Sequence, residues 1–419
     1  MEKREGYKKT DLGWVPETWN VAKIGSFTKP ISEKNTKDKI SNVVSVTKYD
    51  GIVDSLSYFK KQVYSKDLTT YKIIRRGQFA YATIHLDEGS IGRLTSHDKA
   101  ILSPMYTVFE SDDKLVDKEY LFGLLKSNKL MNIYKHIGAG SINRRKSISY
   151  ESFGNIKIPL PPLQEQQKIA EILTTVDDKI SSIEERIQQT EQLKKGLMEK
   201  LLTEGIGHTE FKDTEIGRVP TSWDVVVLNQ VVERNYNITY GVVQPGEDNE
   251  DGILFIRGGD IKNGKISGNL RKISNDISEK YKRTILSGGE ILVALVGYPG
   301  ETAIVPEYLK GANIARQVAL LKIRPGISKQ YLHQYFSSAF GKGQLLCDIV
   351  GSAQQVINLA SLKKVKVILP PQSEQKQIAS ILTAVDDKLD VLQSKKSAFE
   401  TLKKGLMDQL LTGAMRVKV

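Results

Sequence analysis

The sequence predicts an α+β protein: two mixed α/β domains in a pseudo-twofold arrangement, joined by two long antiparallel coiled-coil helices. Three observations carry that prediction. Two groups of motifs occur twice, a proline-free stretch with a helical apolar stripe follows each copy, and the segments between them read as short strands.

The repeat comes first. Thr10-Asp-Leu-Gly-Trp-Val-Pro-Glu-Thr-Trp-Asn-Val21 returns as Thr214-Glu-Ile-Gly-Arg-Val-Pro-Thr-Ser-Trp-Asp-Val225, and Leu160-Pro-Pro-Leu-Gln-Glu-Gln166 returns as Leu369-Pro-Pro-Gln-Ser-Glu-Gln375. Ile169–Lys179 matches Ile378–Lys388, and Leu193-Lys-Lys-Gly-Leu-Met198 matches Leu402-Lys-Lys-Gly-Leu-Met407. The segments between, about 22–158 and 226–367, share only traces such as Gly77-Gln-Phe-Ala-Tyr81 beside Gly289-Glu-Ile-Leu-Val293. A duplicated frame holding two different inserts suggests one architecture addressing two targets. The boundaries predicted are 1–158 and 206–367 for the domains, and 159–205 and 368–419 for the helices.

Each Pro-Pro pair ends a strand-like run (Ile156–Leu160, Val365–Leu369) and stands where a helix can begin. In the first copy Leu173, Val176, Ile180, Ile183 and Ile187 alternate spacings of three and four, the seam of a coiled coil. Leu197 and Leu201 extend the stripe past a polar break at Thr190 and Lys194. The second copy gives Leu382, Val385, Leu389, Leu392, Phe399, Leu402, Leu406 and Leu410. A helix over Gln164–Leu202 would run about 58 Å, long enough for a spacer. The repeated Asp177-Asp178-Lys179 and Asp386-Asp387-Lys388 read as a solvated helix face.

The inserts carry β-rich runs at Asn42–Val46, Phe79–Ile84 and Tyr106–Phe109, then at Val225–Leu228, Ile253–Ile256, Ile291–Val296 and Val318–Ile323. One helical stretch is expected in each, Lys118–Ser127 and Lys329–Ala339.

Composition narrows the function. With 40% hydrophobic and 26% charged residues, the 419-residue chain has the makings of folded domains, and no run of about eighteen apolar residues offers a membrane span. The charged start Met1-Glu-Lys-Arg-Glu-Gly6 lacks a signal-peptide core, and the single Cys347 suits a reducing cytoplasm. A formal charge of +12 favours polyanions, nucleic acid before anionic membrane.

Nothing assembles a catalytic or metal site. There is no Gly-x-x-x-x-Gly-Lys-Ser/Thr loop, the Pro-Pro pairs lack the preceding Asn or Asp of an amino-methyltransferase, and no Pro-Asp dipeptide opens a nuclease motif. The five histidines are scattered without metal-ligand spacing, so no cofactor is expected. Base reading calls instead for Arg, Lys, Asn and Gln on loops. The strongest candidates are Asn143, Arg144, Arg145 and Lys146 in one loop, and Gln354 and Gln355 at the matched place in the second domain. Tyr81, His85 and Arg93 are further candidates in the first domain, and Tyr240, Gln244, Arg257, Lys265, Tyr298, Arg316 and Gln317 in the second.

These motifs together resemble the specificity subunits of type I restriction–modification enzymes. The residues are Thr214-Glu-Ile-Gly-x-Val-Pro-x-x-Trp223, Leu369-Pro-Pro-x-x-Glu-Gln375 and the helix ending Gly405-Leu-Met-x-x-Leu-Leu-Thr412, with their first copies. The resemblance covers essentially the whole chain. It implies a non-catalytic reader of double-stranded DNA with two target-recognition domains, each taking half of a split site. It also implies two modification (M) subunits as partners and, through them, restriction (R) subunits. S-adenosylmethionine would belong to the M partner, ATP and Mg²⁺ to the R partner. The alternative from the residues alone is a fused methyltransferase or nuclease with an unrecognised motif.

Overall fold

The computed structural model describes residues 5–36, 40–137, 147–347 and 356–418. The chain divides into two compact units, residues 1–184 with 394–419, and residues 185–393.

In the first unit, β1 (Thr28–Ile31), β2 (Phe79–Ala82), β3 (Ile91–Arg93) and β4 (Tyr106–Ser111) form an antiparallel sheet in the order β1-β4-β2-β3. Side chains alternate across it as the pleat demands. Phe79, Tyr81 and Phe109 enter one core with Trp19, Tyr120 and Phe153, while Ala80 and Val108 face a second with Val44, Ile74 and Leu102. Phe79 and Phe109 stack with centroids 5.2 Å apart. The helix α1 (Leu163–Thr203) lends Ile169, Ala170 and Leu173 to the aromatic core, and Leu410 and Leu411 enter it from the far end of the chain.

The second unit repeats the plan. Its strands β5 (Thr239–Tyr240), β6 (Ile291–Ala294), β7 (Thr302–Ile304) and β8 (Val318–Leu321) are ordered β5-β8-β6-β7. Here α2 (Gln372–Leu410) supplies Ile378, Ala379 and Leu382, while the end of α1 supplies Leu201 and Leu202. Each core is thus closed by the start of one long helix and the finish of the other.

The repeated motifs fix this closure. Trp19 Nε1 donates to Glu165 Oε2 at 2.9 Å, and Trp223 Nε1 to Glu374 Oε2 at 2.9 Å. Glu165, only 2% exposed, also accepts from Arg416 Nε at 2.7 Å and Nη2 at 3.0 Å. Glu374 is held by the Ile206 N–H and the His208 ring. Gln166 and Gln375 donate back to the carbonyls of Pro161 and Pro370, and accept from the N–H groups of Asp117 and Ser328 that begin the domain helices. The run before each Pro-Pro is a strand, Lys157–Leu160 or Lys366–Leu369, paired with the strand after each tryptophan.

The long helices pair antiparallel within each unit. Lys396 meets Glu184 at 2.8 Å and Lys403 meets Asp177 at 2.5 Å in the first, and Lys194 meets Asp386 at 2.6 Å in the second. Asp177 and Asp386 are therefore interhelical partners, whereas Asp178, Lys179, Asp387 and Lys388 are exposed, as a solvated face requires. The seam holds at Leu173, Val176, Leu201, Leu382, Leu389, Leu392 and Leu410, which are all buried, but Leu402 is 48% exposed. Thr190, expected as a polar break, is buried, with its hydroxyl satisfied by donating to the Arg186 carbonyl. Each domain also has a second helix after the expected one, Asn128–His136 and Ala339–Leu346. Ser127 and Ser338 cap these helices, accepting from Leu130 N and Gly341 N, and so start a new helix at the end of each expected one.

Candidate nucleic-acid interface

The two best loops of the sequence reading, with Asn143, Arg144, Arg145, Lys146, Gln354 and Gln355, lie outside the described residues. Their exits are described, and they are equivalent. In the first unit Ile148 N–H donates to the Thr83 carbonyl at 2.8 Å, just past β2; in the second Ile357 N–H donates to Leu295 at 3.0 Å, just past β6. Ile148 and Ile357 therefore stand at the same end of equivalent strands.

In the second unit that end gathers most of the weaker candidates. Ala315 N–H donates to Ile256, Arg316 N–H to Val242 and Leu295 N–H to Gln317, at 2.9, 2.9 and 2.7 Å. These bonds bring residues 240–244, 256–258, 295–298 and 315–317 side by side. Glycine is required where the strands close in, since a Cβ on Gly241 would strike the Ile314 carbonyl and one on Gly258 the Val296 carbonyl. Tyr240 and Tyr298 are 46% and 45% exposed, and Gln244 and Arg316 are exposed. Arg257 donates twice to Asp260, and Gln317 is half-buried. Exposed Tyr240, Gln244, Tyr298 and Arg316 thus stand on neighbouring backbone segments, residue types that can stack on bases and donate to their edges.

Lys265 departs from the group. Its ammonium bridges both carboxylate oxygens of Asp390 on α2, at 2.6 and 2.5 Å, because the hairpin that carries it folds onto the helix.

The first unit corrects two expectations. Tyr81 is 0% exposed, its hydroxyl donating to the Ile148 carbonyl, since alternation along β2 turns it into the aromatic core. Arg93 pairs with Glu119, and its Nε is buried. His85 remains exposed, 3.2 Å from Glu88. It lines an open cleft of about 350 Å³ that also takes in Phe59, Val63, Tyr64, Thr83 and Met105. The sequence reading missed this cleft, although Tyr58-Phe-Lys-Lys-Gln-Val-Tyr-Ser-Lys66 signals it by interleaving lysines with aromatics. Among the described residues no group of His, Cys, Asp and Glu could hold a metal, and no helix is long and apolar enough to cross a membrane.

Comparison with known proteins places the chain as a whole. The family model for the type I restriction modification DNA specificity domain matches residues 16–192 and 220–401. The chain is 31% identical over 427 residues to the type I restriction enzyme MjaVIII specificity subunit of Methanocaldococcus jannaschii, covering 99% of this chain and 97% of the relative. It is 34% identical over 249 residues to the EcoBI specificity subunit of Escherichia coli, covering 56% and 52%. The S subunit of a type I restriction–modification system from M. genitalium shares the fold with a TM-score of 0.58 at 13% identity, over 98% of both chains. A chain from a structure of type I R-M complex assembly gives 0.58 at 17% identity, over 96% of this chain and 99% of that one. With the motif-bearing frame matched in both repeats and a relative aligned end to end, this chain belongs to the family of type I restriction–modification DNA specificity subunits.

Proposed function

We propose that this chain is the non-catalytic DNA reader of a type I restriction–modification complex. It binds a split duplex target, one half to each unit, and holds M and R subunits on it. In this reading residues 1–158 and 206–367 are the target-recognition domains, and 159–205 and 368–419 are the helices that set the unread gap. The work is done in the cytoplasm, and the cofactors belong to the partners.

One observation supports it above the others. The frame residues repeat (Trp19 and Trp223, Glu165 and Glu374, Gln166 and Gln375), whereas the loops delivered to Thr83 and Leu295 differ. A repeated mount with unlike tips is what two different half-sites require. Asn143, Arg144, Arg145 and Lys146 would read one half, with His85 at its edge. Gln354 and Gln355 would read the other, with Tyr240, Gln244, Arg257, Tyr298, Arg316 and Gln317.

Binding of the full chain to duplex DNA across a salt series tests this. Each neutralised phosphate contributes about −0.9 to the slope of log affinity against log salt, so six contacts give about −5. Affinity that stays flat between low and physiological salt overturns the reading.

A further inference from the structure

The first unit's cleft carries its own chemistry. Phe59, Val63 and Met105 are 39%, 47% and 59% exposed around one opening, an apolar cluster left uncovered on the surface. The segment that supplies Phe59, Val63, Tyr64 and Ser65 to its lining also carries Lys60, Lys61 and Lys66, all exposed. Lys60 sits at φ 53°, a left-handed conformation that lysine adopts at some cost, and turns the chain out of the helix Ser55–Phe59. Exposed cations interleaved with the residues of an apolar opening complement a ligand that is anionic outside and apolar at one edge.

Strand register compares this place with its counterpart. Tyr106 faces Ala82 and Val318 faces Ala294 at the same step of the two sheets, so Met105 and Gln317 are equivalent. Where the second unit offers an amide beside Arg257, Arg316 and Tyr298, the first offers a thioether, an aliphatic wall and Phe59. Hydrogen-bond donors suit purine edges; an apolar wall suits the only apolar group in the major groove, the 5-methyl of thymine.

Resting on the DNA-reading proposal above, we infer that the first unit's cleft is a thymine-reading subsite, with Met105, Val63 and Phe59 packing on the 5-methyl group. Lys60, Lys61 and Lys66 lie against the flanking phosphates.

The test uses the full chain and a duplex carrying its target, mapped from methylated sites in cells. Each thymine is replaced in turn by deoxyuridine, which removes only the methyl group. One position should lose about fourfold in affinity, the worth of one buried methyl-sized group. Met105→Gln, at an exposed position, should bind the thymine and uracil duplexes equally while keeping its preference at the other half-site. Wild-type binding unaffected by uracil at every thymine, or a Met105→Gln protein that still discriminates, overturns the inference. A scrambled duplex separates the two levels. If it binds as well as the target, the DNA-reading proposal falls and this inference with it; if it binds worse and uracil is without effect, only the subsite falls.

Discussion

Replacing Glu165 by alanine should unfasten the end of the chain from the first unit. The carboxylate is 2% exposed and accepts from Trp19 Nε1, Arg416 Nε and Arg416 Nη2 at 2.7–3.0 Å. Its loss strands a buried indole N–H and leaves the guanidinium with the Thr18 hydroxyl in place of a carboxylate. Removing one member of a buried pair costs about 3–5 kcal/mol. The Arg416 side chain is 39% exposed, so water recovers part of its charge and the lower end, about 3 kcal/mol, is expected. For a unit of this size each kcal/mol lowers Tm by about 2–4 °C, so a drop of about 6–12 °C should appear by calorimetry. Arg416→Met should cost nearly as much, because it leaves the carboxylate buried and uncompensated. The double variant Glu165→Ala with Arg416→Met should cost less than the two single losses added together. A Glu165→Ala protein melting within a degree of wild type, or strictly additive single effects, would refute the clamp.

Three further outcomes follow from the second unit and the helices. Burial pushes the His333 imidazole below its ordinary pKa of 6.5, its Nδ1 lying 3.1 Å from Thr302 Oγ1. Nearby Asp386 and Glu301 oppose the shift, and Lys194 adds to it. The unfolded chain therefore binds the proton more readily, and this residue's contribution, present above pH 6.5, should fade as pH drops below it. Denaturant melts between pH 8 and 5 should show the loss, and His333→Gln should flatten it; an unchanged slope contradicts the assignment. Lys194→Asp sets two carboxylates face to face at the rung with Asp386, while adding Asp386→Lys restores attraction, with a coupling of about 1 kcal/mol by double-mutant cycle. No coupling would mean that the rung is not formed in solution. Four helix-forming residues inserted after Glu184 and four after Gln393, where both helices pass between units, add about 6 Å to each. At about 3.4 Å per base pair, the unread gap should widen by one or two base pairs with both half-sites unchanged. An active variant with an unaltered gap shows that the helices do not set it.

The repeated motifs made the fold legible because they are the fold's fasteners. Tryptophan, Pro-Pro and the apolar stripe each have a local physical meaning, and strands such as Ile253–Ile256 fell where β-branched runs stand. What stayed hidden depends on distant partners. No spacing says that Glu165 meets Trp19 and Arg416, or that Asp177 meets Lys403. Tyr81 carried the polar tip of a base reader, but strand alternation decided its side and turned it inward. Lys265 had the side chain of a DNA contact, but the hairpin that carries it sets its ammonium on Asp390. Leu402 fitted the heptad, yet a seam that also serves a domain core does not keep strict heptad geometry. The interface in the second unit was partly legible, since its aromatics and arginines were named; the first unit's apolar cleft was not, because exposed Met105 and Val63 look like core residues in a sequence.

Genome-wide mapping of the sites methylated when this chain is expressed with its M subunit tests the central claim most directly. The account predicts a motif of two unlike halves separated by a fixed, unread gap. In the Arg144→Ala, Arg145→Ala protein one half should relax while the other and the gap stay as they were. A continuous motif, two identical halves, or a variant that loses both halves together would contradict it.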